Sequence, residues 1–83
     1  MLLSANMLSM LTEQYRHEIL NSLRYDQRRA WCEAEGFIGS AAFWKQEAEG
    51  ERGHANKVLG FLIDRSAKPV LEPLTFDDNG DIS

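Results

Sequence analysis

The chain has 83 residues and a net charge of −4, with 43% hydrophobic and 27% charged residues. A chain of this length and composition forms at most one domain, of the ordinary soluble globular class. The acidic balance argues against a nucleic-acid partner, because such proteins present a basic face to phosphates, and it mildly favours attraction of cations.

The N-terminal eight residues are apolar, but they lack the basic start of a secretory signal and run into an amphipathic pattern. No apolar run approaches the ~20 residues that span a bilayer. The single cysteine, Cys32, rules out an intramolecular disulfide and fits a reducing compartment. We therefore expect a cytoplasmic protein with no membrane partner.

A first long helix is predicted over about residues 4–35, a stretch that contains neither Gly nor Pro. Its inward positions alternate in spacings of three and four residues, as one buried helix face requires. They are Leu8, Leu11, Tyr15, Glu18, Ser22, Tyr25, Arg29 and Cys32, and Ile19 and Leu23 beside them belong to the same stripe. Glu18 is the anomaly, an acid inside a mostly apolar stripe.

A short break follows, in which Gly36 suits the C-terminal end of a helix and Ser40 or Gly39 suits the N-cap of the next. The second helix is predicted over about residues 40–64. Its inward positions are Ala41, Trp44, Ala48, Glu51, Ala55, Val58 and Leu62. A break this short favours an antiparallel hairpin, so we predict an all-α fold.

The chain changes character after the second helix. Residues 1–66 are predicted to form the helical hairpin, and residues 67–83 an extended or flexible acidic tail that begins near two prolines, Pro69 and Pro73.

A hairpin alone covers only one side of each apolar stripe. Six large side chains would stay partly exposed in a monomer, and burying each is worth roughly 1.5–3 kcal/mol. They are Leu8, Leu11, Trp44, Val58, Phe61 and Leu62. A two-fold homodimer that closes a four-helix bundle is the simplest remedy, and the sequence leaves higher oligomers open.

Three side chains predict a metal site. Glu51 and His54 lie one helical turn apart, so both can reach one ion. Glu18 precedes Gly36 by the same chain distance at which His54 follows it, and Glu51 lies one turn closer to that glycine. At a rise of ~1.5 Å per residue, all three are level, about 22–27 Å from the turn. A homodimer would then gather four carboxylates and two imidazoles, which suits two iron ions better than one zinc ion and also accepts manganese.

Other interpretations of these residues stay open. Glu18 could be a salt-bridged acid facing Arg52 or Arg65, and the pair at positions 51 and 54 could lie on the surface. Glu47, one turn before Glu51, is either an auxiliary metal ligand or a solvated acid.

Several motifs carry a family resemblance. In the first helix they are Leu11-x-Glu13-Gln14, Glu18, Tyr25 and Ala30-Trp31-Cys32; in the second helix and its exit they are residues 36–44, Glu51-x-x-His54 and Asp64-Arg65-x-x-Lys68-Pro69. Over about residues 8–73, the chain resembles the N-terminal half of bacterial non-haem ferritins.

The resemblance implies a ferritin-like four-helix bundle and a ferroxidase that converts Fe(II) to Fe(III) with dioxygen or peroxide, with iron storage as a further property of that family. It implies that Glu18, Glu51 and His54 are ferroxidase-centre ligands. Tyr25 resembles the tyrosine near that centre, as a hydrogen-bond partner or electron donor, although an inward tyrosine can also be merely packed.

The chain also departs from that family. A ferritin subunit continues for two more helices, and it often has Glu where this chain has Gly50. These departures motivate an alternative, a non-catalytic half-ferritin module that pairs with another subunit in a structural or interaction role.

Overall fold

The computed structural model describes residues 3–75, which contain two helices, α1 (Ala5–Ala34) and α2 (Ile38–Asp64). They pack against each other as a hairpin, and residues 67–75 follow without helix or strand. The predicted all-α fold is confirmed. The rest of the predicted acidic tail, residues 76–83, lies outside the described residues.

The turn between the helices is closed by two backbone hydrogen bonds. The N–H of Phe37 donates to the carbonyl of Cys32 at 2.8 Å, and the N–H of Gly36 donates to that of Glu33 at 3.1 Å. This bonding pattern, a Schellman motif, needs a left-handed residue, and Gly36 supplies it with φ of +79°. The predicted role of Gly36 is confirmed.

The predicted N-cap of the second helix is wrong. Helix α2 begins at Ile38, so Ser40 and Gly39 lie inside it, and Phe37 occupies the cap position without a side-chain hydrogen bond. The reason is local: closure of the turn leads the chain directly into a helix, and the N–H of Ala41 already donates to the Phe37 carbonyl at 2.9 Å.

The helices meet along a narrow seam of small side chains. The buried residues of α2 recur every seven positions and are 0–3% exposed: Ala41, Ala48, Ala55 and Leu62. This is the spacing of a coiled-coil seam, and alanine allows the neighbouring backbone to come close. On α1 the buried residues are Glu18 and Ser22. The positions predicted to face inward on the two helices are buried or half-buried, except Leu23, which is 45% exposed.

One of the six large side chains predicted to stay partly exposed in a monomer is not exposed. Leu62 is fully buried within the hairpin, because it is the last member of the seven-residue seam. The other five residues of that set are half-buried, as predicted. The hairpin therefore has a small core, and most of its large apolar side chains keep an open side.

The molecule is a single layer of two helices. Its dimensions are 50 × 26 × 13 Å, and the last of these is close to the ~10–12 Å diameter of one helix. The radius of gyration is 15.2 Å, against about 12 Å for a compact chain of this length. Large apolar side chains remain exposed, among them Met10, Phe43 and Ile63. Both broad faces of the layer are open to solvent.

The segment after α2 is tied to α1. The Arg16 guanidinium donates to the carbonyl of Pro73 at 3.1 Å and also pairs with Glu13 at 2.7 Å. Neither helix of the described part of the chain has a stretch that is apolar enough to cross a membrane.

Candidate metal centre

An imidazole lies between two carboxylates halfway along the hairpin. His54 Nδ1 is 3.5 Å from Glu18 Oε2 and 3.4 Å from Glu51 Oε1. Glu18 comes from α1, whereas the other two come from successive turns of α2. The structure thus brings together three side chains that the sequence predicts at one height, and their role as metal ligands stays a prediction.

The cluster sits at the middle of both helices. Helix α1 runs from residue 5 to 34 and α2 from 38 to 64, so Glu18 lies close to the midpoint of α1 and Glu51 lies at that of α2. The predicted common height follows from this placement, because Glu18 and His54 are equally far along the chain from Gly36, on either side of it.

The three side chains differ in burial. The Glu18 side chain is 10% exposed and that of Glu51 21%, whereas that of His54 is 60% exposed. Glu18 Oε1 is buried and has no hydrogen-bond partner among the residues that the structure describes. A buried acceptor without a partner costs about 1–3 kcal/mol, more if it is charged, so such an atom needs an explanation. Its chemistry fits a carboxylate that awaits a cation or a donor from another molecule.

The described part of one chain does not contain a complete centre. Within residues 3–75, no group of three or more His, Cys, Asp and Glu side chains is arranged so that it could hold a metal ion. The contacts of His54 with Glu18 and Glu51 are those of an ion pair, which is charged only when the imidazole is protonated. The open side of His54 is where further ligands would have to arrive.

A neighbouring amide completes the contacts of Glu51. Asn21 Nδ2 donates to Glu51 Oε2 at 3.4 Å, across the two helices. The sequence interpretation missed Asn21, although one signal was available: it lies one turn after Glu18 on the same helix. The next residue, Ser22, donates instead to the backbone carbonyl of Ile19 at 2.7 Å and does not reach the cluster.

The arginines proposed as alternative partners of Glu18 are engaged elsewhere. Arg52 pairs with Asp26 of α1, and the Arg65 guanidinium lies 3.4 Å from the centre of the Phe61 ring. Glu18 contacts His54 instead. These contacts disfavour the interpretation of Glu18 as a salt-bridged surface acid.

Tyr25 packs in an aromatic cluster nearer the turn. Its ring lies 5.2 Å from that of Trp44, and the Arg28 guanidinium lies 4.6 Å from the Trp44 ring and 5.5 Å from the Tyr25 ring. A guanidinium over aromatic faces is a favourable cation–π arrangement. The hydrogen bonds, ion pairs and ring contacts within residues 3–75 do not join Tyr25 to the three clustered side chains, so its predicted role near a metal stays a prediction.

Glu47 stands apart from the cluster. It is exposed, one turn before Glu51, and the ion pairs and hydrogen bonds of residues 3–75 do not connect it to the cluster. Its role as an auxiliary ligand also stays a prediction.

Comparison with known proteins adds the family. The sequence model of the ferritin-like domain family matches residues 8–82. The chain is 35% identical over 68 residues to the bacterial non-heme ferritin of Escherichia coli O157:H7, which covers 82% of this chain and 41% of that protein. It is 36% identical over 66 residues to the bacterial non-heme ferritin of Staphylococcus aureus (strain NCTC 8325 / PS 47), which covers 80% of this chain and 40% of that protein.

The chain therefore spans about two fifths of the length of the curated relatives that it matches. No solved structure matches it at a significant level. Because the family match takes in nearly the whole of α1 and all of α2, the chain belongs to the ferritin-like family.

Proposed function

We propose that this chain supplies half of a di-iron ferroxidase centre, that a homodimer completes the centre, and that the dimer oxidises Fe(II) to Fe(III) with dioxygen or hydrogen peroxide. The observation that carries the proposal is His54 Nδ1 lying between Glu18 and Glu51 at mid-height, beside a buried and unpartnered oxygen of Glu18. Membership of the ferritin-like family makes iron the first metal to test.

The donor set and its charge support two divalent ions. Each chain offers two carboxylates and one neutral imidazole, so a dimer offers a charge of −4 against +4 for two Fe(II) ions. Carboxylate and imidazole suit iron, and they also accept manganese. Glu18, Glu51 and His54 of each chain would hold the ions.

The position of the cluster supports a particular dimer. If the two-fold axis is perpendicular to the helices, the two hairpins overlap along their full length only when the shared site lies at mid-height. Their turns then lie at opposite ends of the bundle. If the two-fold axis runs along the helices instead, the clusters of the two chains are level with each other wherever they lie along the helix. The clusters near the midpoints of α1 and α2 satisfy the stricter requirement. We therefore infer a dimer with its turns at opposite ends.

The surroundings suit a reaction shielded from water on one side. Ala48 and Ala55 are fully buried, one turn before and one turn after Glu51, so the carboxylates border a dry seam in which electrostatic interactions are strong.

The proposed reaction balances with either oxidant. Two Fe(II) ions each lose one electron, and dioxygen takes up two electrons and two protons to give hydrogen peroxide. If peroxide is the oxidant, it takes up two electrons and two protons to give two water molecules.

Iron titration tests the proposal. Anaerobic Fe(II) should bind at two ions per dimer, and admission of air should produce protein-bound Fe(III) absorbance. The double variant Glu51→Ala, His54→Ala should lose both. A matched control is Glu49→Ala, His17→Ala, which removes the same residue types at exposed positions.

Native mass spectrometry with and without iron completes the test. A dimer that carries two irons supports the proposal. Equal oxidation rates in the parent and the double variant, or a monomer or dimer that ignores iron, would reject it and favour the non-catalytic module instead.

A further inference from the structure

The two oxygens of Glu51 have different partners. Oε1 lies 3.4 Å from His54 Nδ1, whereas Oε2 accepts a hydrogen bond from Asn21 Nδ2, also at 3.4 Å. An ionised carboxylate has no proton to give, so only the NH2 end of the Asn21 amide can face it favourably. The orientation of the amide is therefore fixed by its partner.

This contact connects the two helices at the level of the cluster of Glu18, Glu51 and His54. Asn21 lies one turn after Glu18 on α1, and Glu51 lies on α2. The helix that carries one proposed ligand thereby holds the side chain of another. Without Asn21, the Glu51 carboxylate would be free to rotate about its terminal bond, because its other contact, with His54, involves a side chain that is mostly exposed.

We propose that Asn21 is a positioning residue, which fixes the Glu51 carboxylate in advance so that Oε1 is the oxygen offered to a metal ion beside His54. The inference rests on the proposed function, because it assigns a task to Asn21 only if Glu51 binds metal. Groups that hydrogen-bond to metal ligands from behind set the orientation of those ligands, and their loss typically lowers metal affinity about 10–100-fold.

The test compares Asn21→Leu, which keeps the size of the side chain and removes the donor, with Asn56→Leu, which makes the same change at an exposed position of α2. Anaerobic Fe(II) affinity is measured by calorimetry, and the ligand environment by the visible spectrum of the Co(II)-loaded protein. Asn21→Ala repeats the measurement in a variant that keeps high helix propensity, in case the leucine variant does not fold.

We expect both Asn21 variants to bind Fe(II) about 10–100-fold more weakly than the parent and the Asn56 control. At saturating cobalt their visible bands should weaken, because a freed carboxylate binds through both oxygens and raises the coordination number. A merely structural contact between helices would change the melting temperature of the metal-free protein and leave the saturated cobalt spectrum unchanged.

Two other results would overturn the inference. If the parent binds both metals and the Asn21 variants match its affinity and spectrum, Asn21 does not position Glu51, and the proposed function stands. If the parent binds neither metal, or binds it equally well in the Glu51→Ala, His54→Ala variant, the proposed function fails and the role of Asn21 fails with it.

Discussion

Glu18 and His54 meet across the hairpin with 3.5 Å between Oε2 and Nδ1, although they lie on different helices and far apart in the chain. They meet because Gly36 stands midway between them in the sequence, so two antiparallel helices place them at one height. Glu51 joins them from an adjacent turn of α2, and Glu18 Oε1 is buried without a hydrogen-bond partner within residues 3–75.

The burial of Glu18 predicts that its replacement makes the metal-free protein more stable but removes metal binding. Glu18→Leu should raise the free energy of unfolding of the metal-free protein by about 1–3 kcal/mol, because it removes a buried acceptor without a partner and relieves repulsion among carboxylates in a dimer. The same variant should lose Fe(II) binding. Urea unfolding at one fixed protein concentration measures the first effect.

Glu49→Leu serves as the control for that prediction, since Glu49 is exposed on α2 and its replacement should change stability by no more than about 0.5 kcal/mol. A metal-free Glu18→Leu protein that is less stable than the parent would contradict the prediction, because it would mean that the contact of Oε2 with His54 outweighs the cost of burying Oε1 without a hydrogen bond.

The backbone conformation of Ser66, two residues beyond the end of α2, predicts a gain in stability on substitution by glycine. Ser66 has φ of +53°, and the hydrogen bonds that close this helix end run from the N–H of Ser66 to the Ile63 carbonyl at 2.9 Å and from that of Ala67 to the Leu62 carbonyl at 3.0 Å. Glycine adopts this left-handed conformation without the ~1–2 kcal/mol cost that a side chain imposes. Ser66→Gly should therefore stabilise the protein by about 1 kcal/mol in urea unfolding. Ser66→Ala, which keeps a Cβ, should give no such gain.

Two glycines are expected to change stability in opposite directions when each is replaced by alanine. Gly36 has φ of +79°, so Gly36→Ala should destabilise the hairpin by about 1–2 kcal/mol. Gly53 lies inside α2, and a Cβ added there would meet nothing within 4 Å in the described part of the chain beyond its own turn of helix. Gly53→Ala should therefore stabilise the protein by up to about 1 kcal/mol, through helix propensity. Thermal melts of both variants measure the two changes in stability, and changes of the same sign would contradict the prediction.

The inferred orientation of the dimer predicts one distance. A spin label at Glu33→Cys, in a Cys32→Ser background, lies near the turn at an exposed position. With the turns at opposite ends, the two labels should be about 40 Å apart, from the ~1.5 Å rise per residue on either side of the shared centre. With the turns at the same end, they should be separated only by the width of the bundle. Pulsed electron paramagnetic resonance distinguishes the two arrangements, and a short distance would reject the first.

Much of the fold could be predicted from the sequence, because it depends on local periodicity. Inward positions spaced by three and four residues define both helices, and Gly36 marks the turn, so the common height of Glu18, Glu51 and His54 follows by counting residues. The choice of those three residue types as a metal set came from the Glu-x-x-His spacing and from the family resemblance.

The tertiary structure decided what periodicity cannot specify: which side chain each polar group contacts, and which large residue the hairpin itself buries. It paired Arg52 with Asp26 and left an oxygen of Glu18 without a partner, and it connected Asn21 to Glu51. It also buried Leu62 in the seam. These outcomes depend on how closely two helices approach and on which rotamers then fit between them, and a pattern read along one helix contains neither quantity.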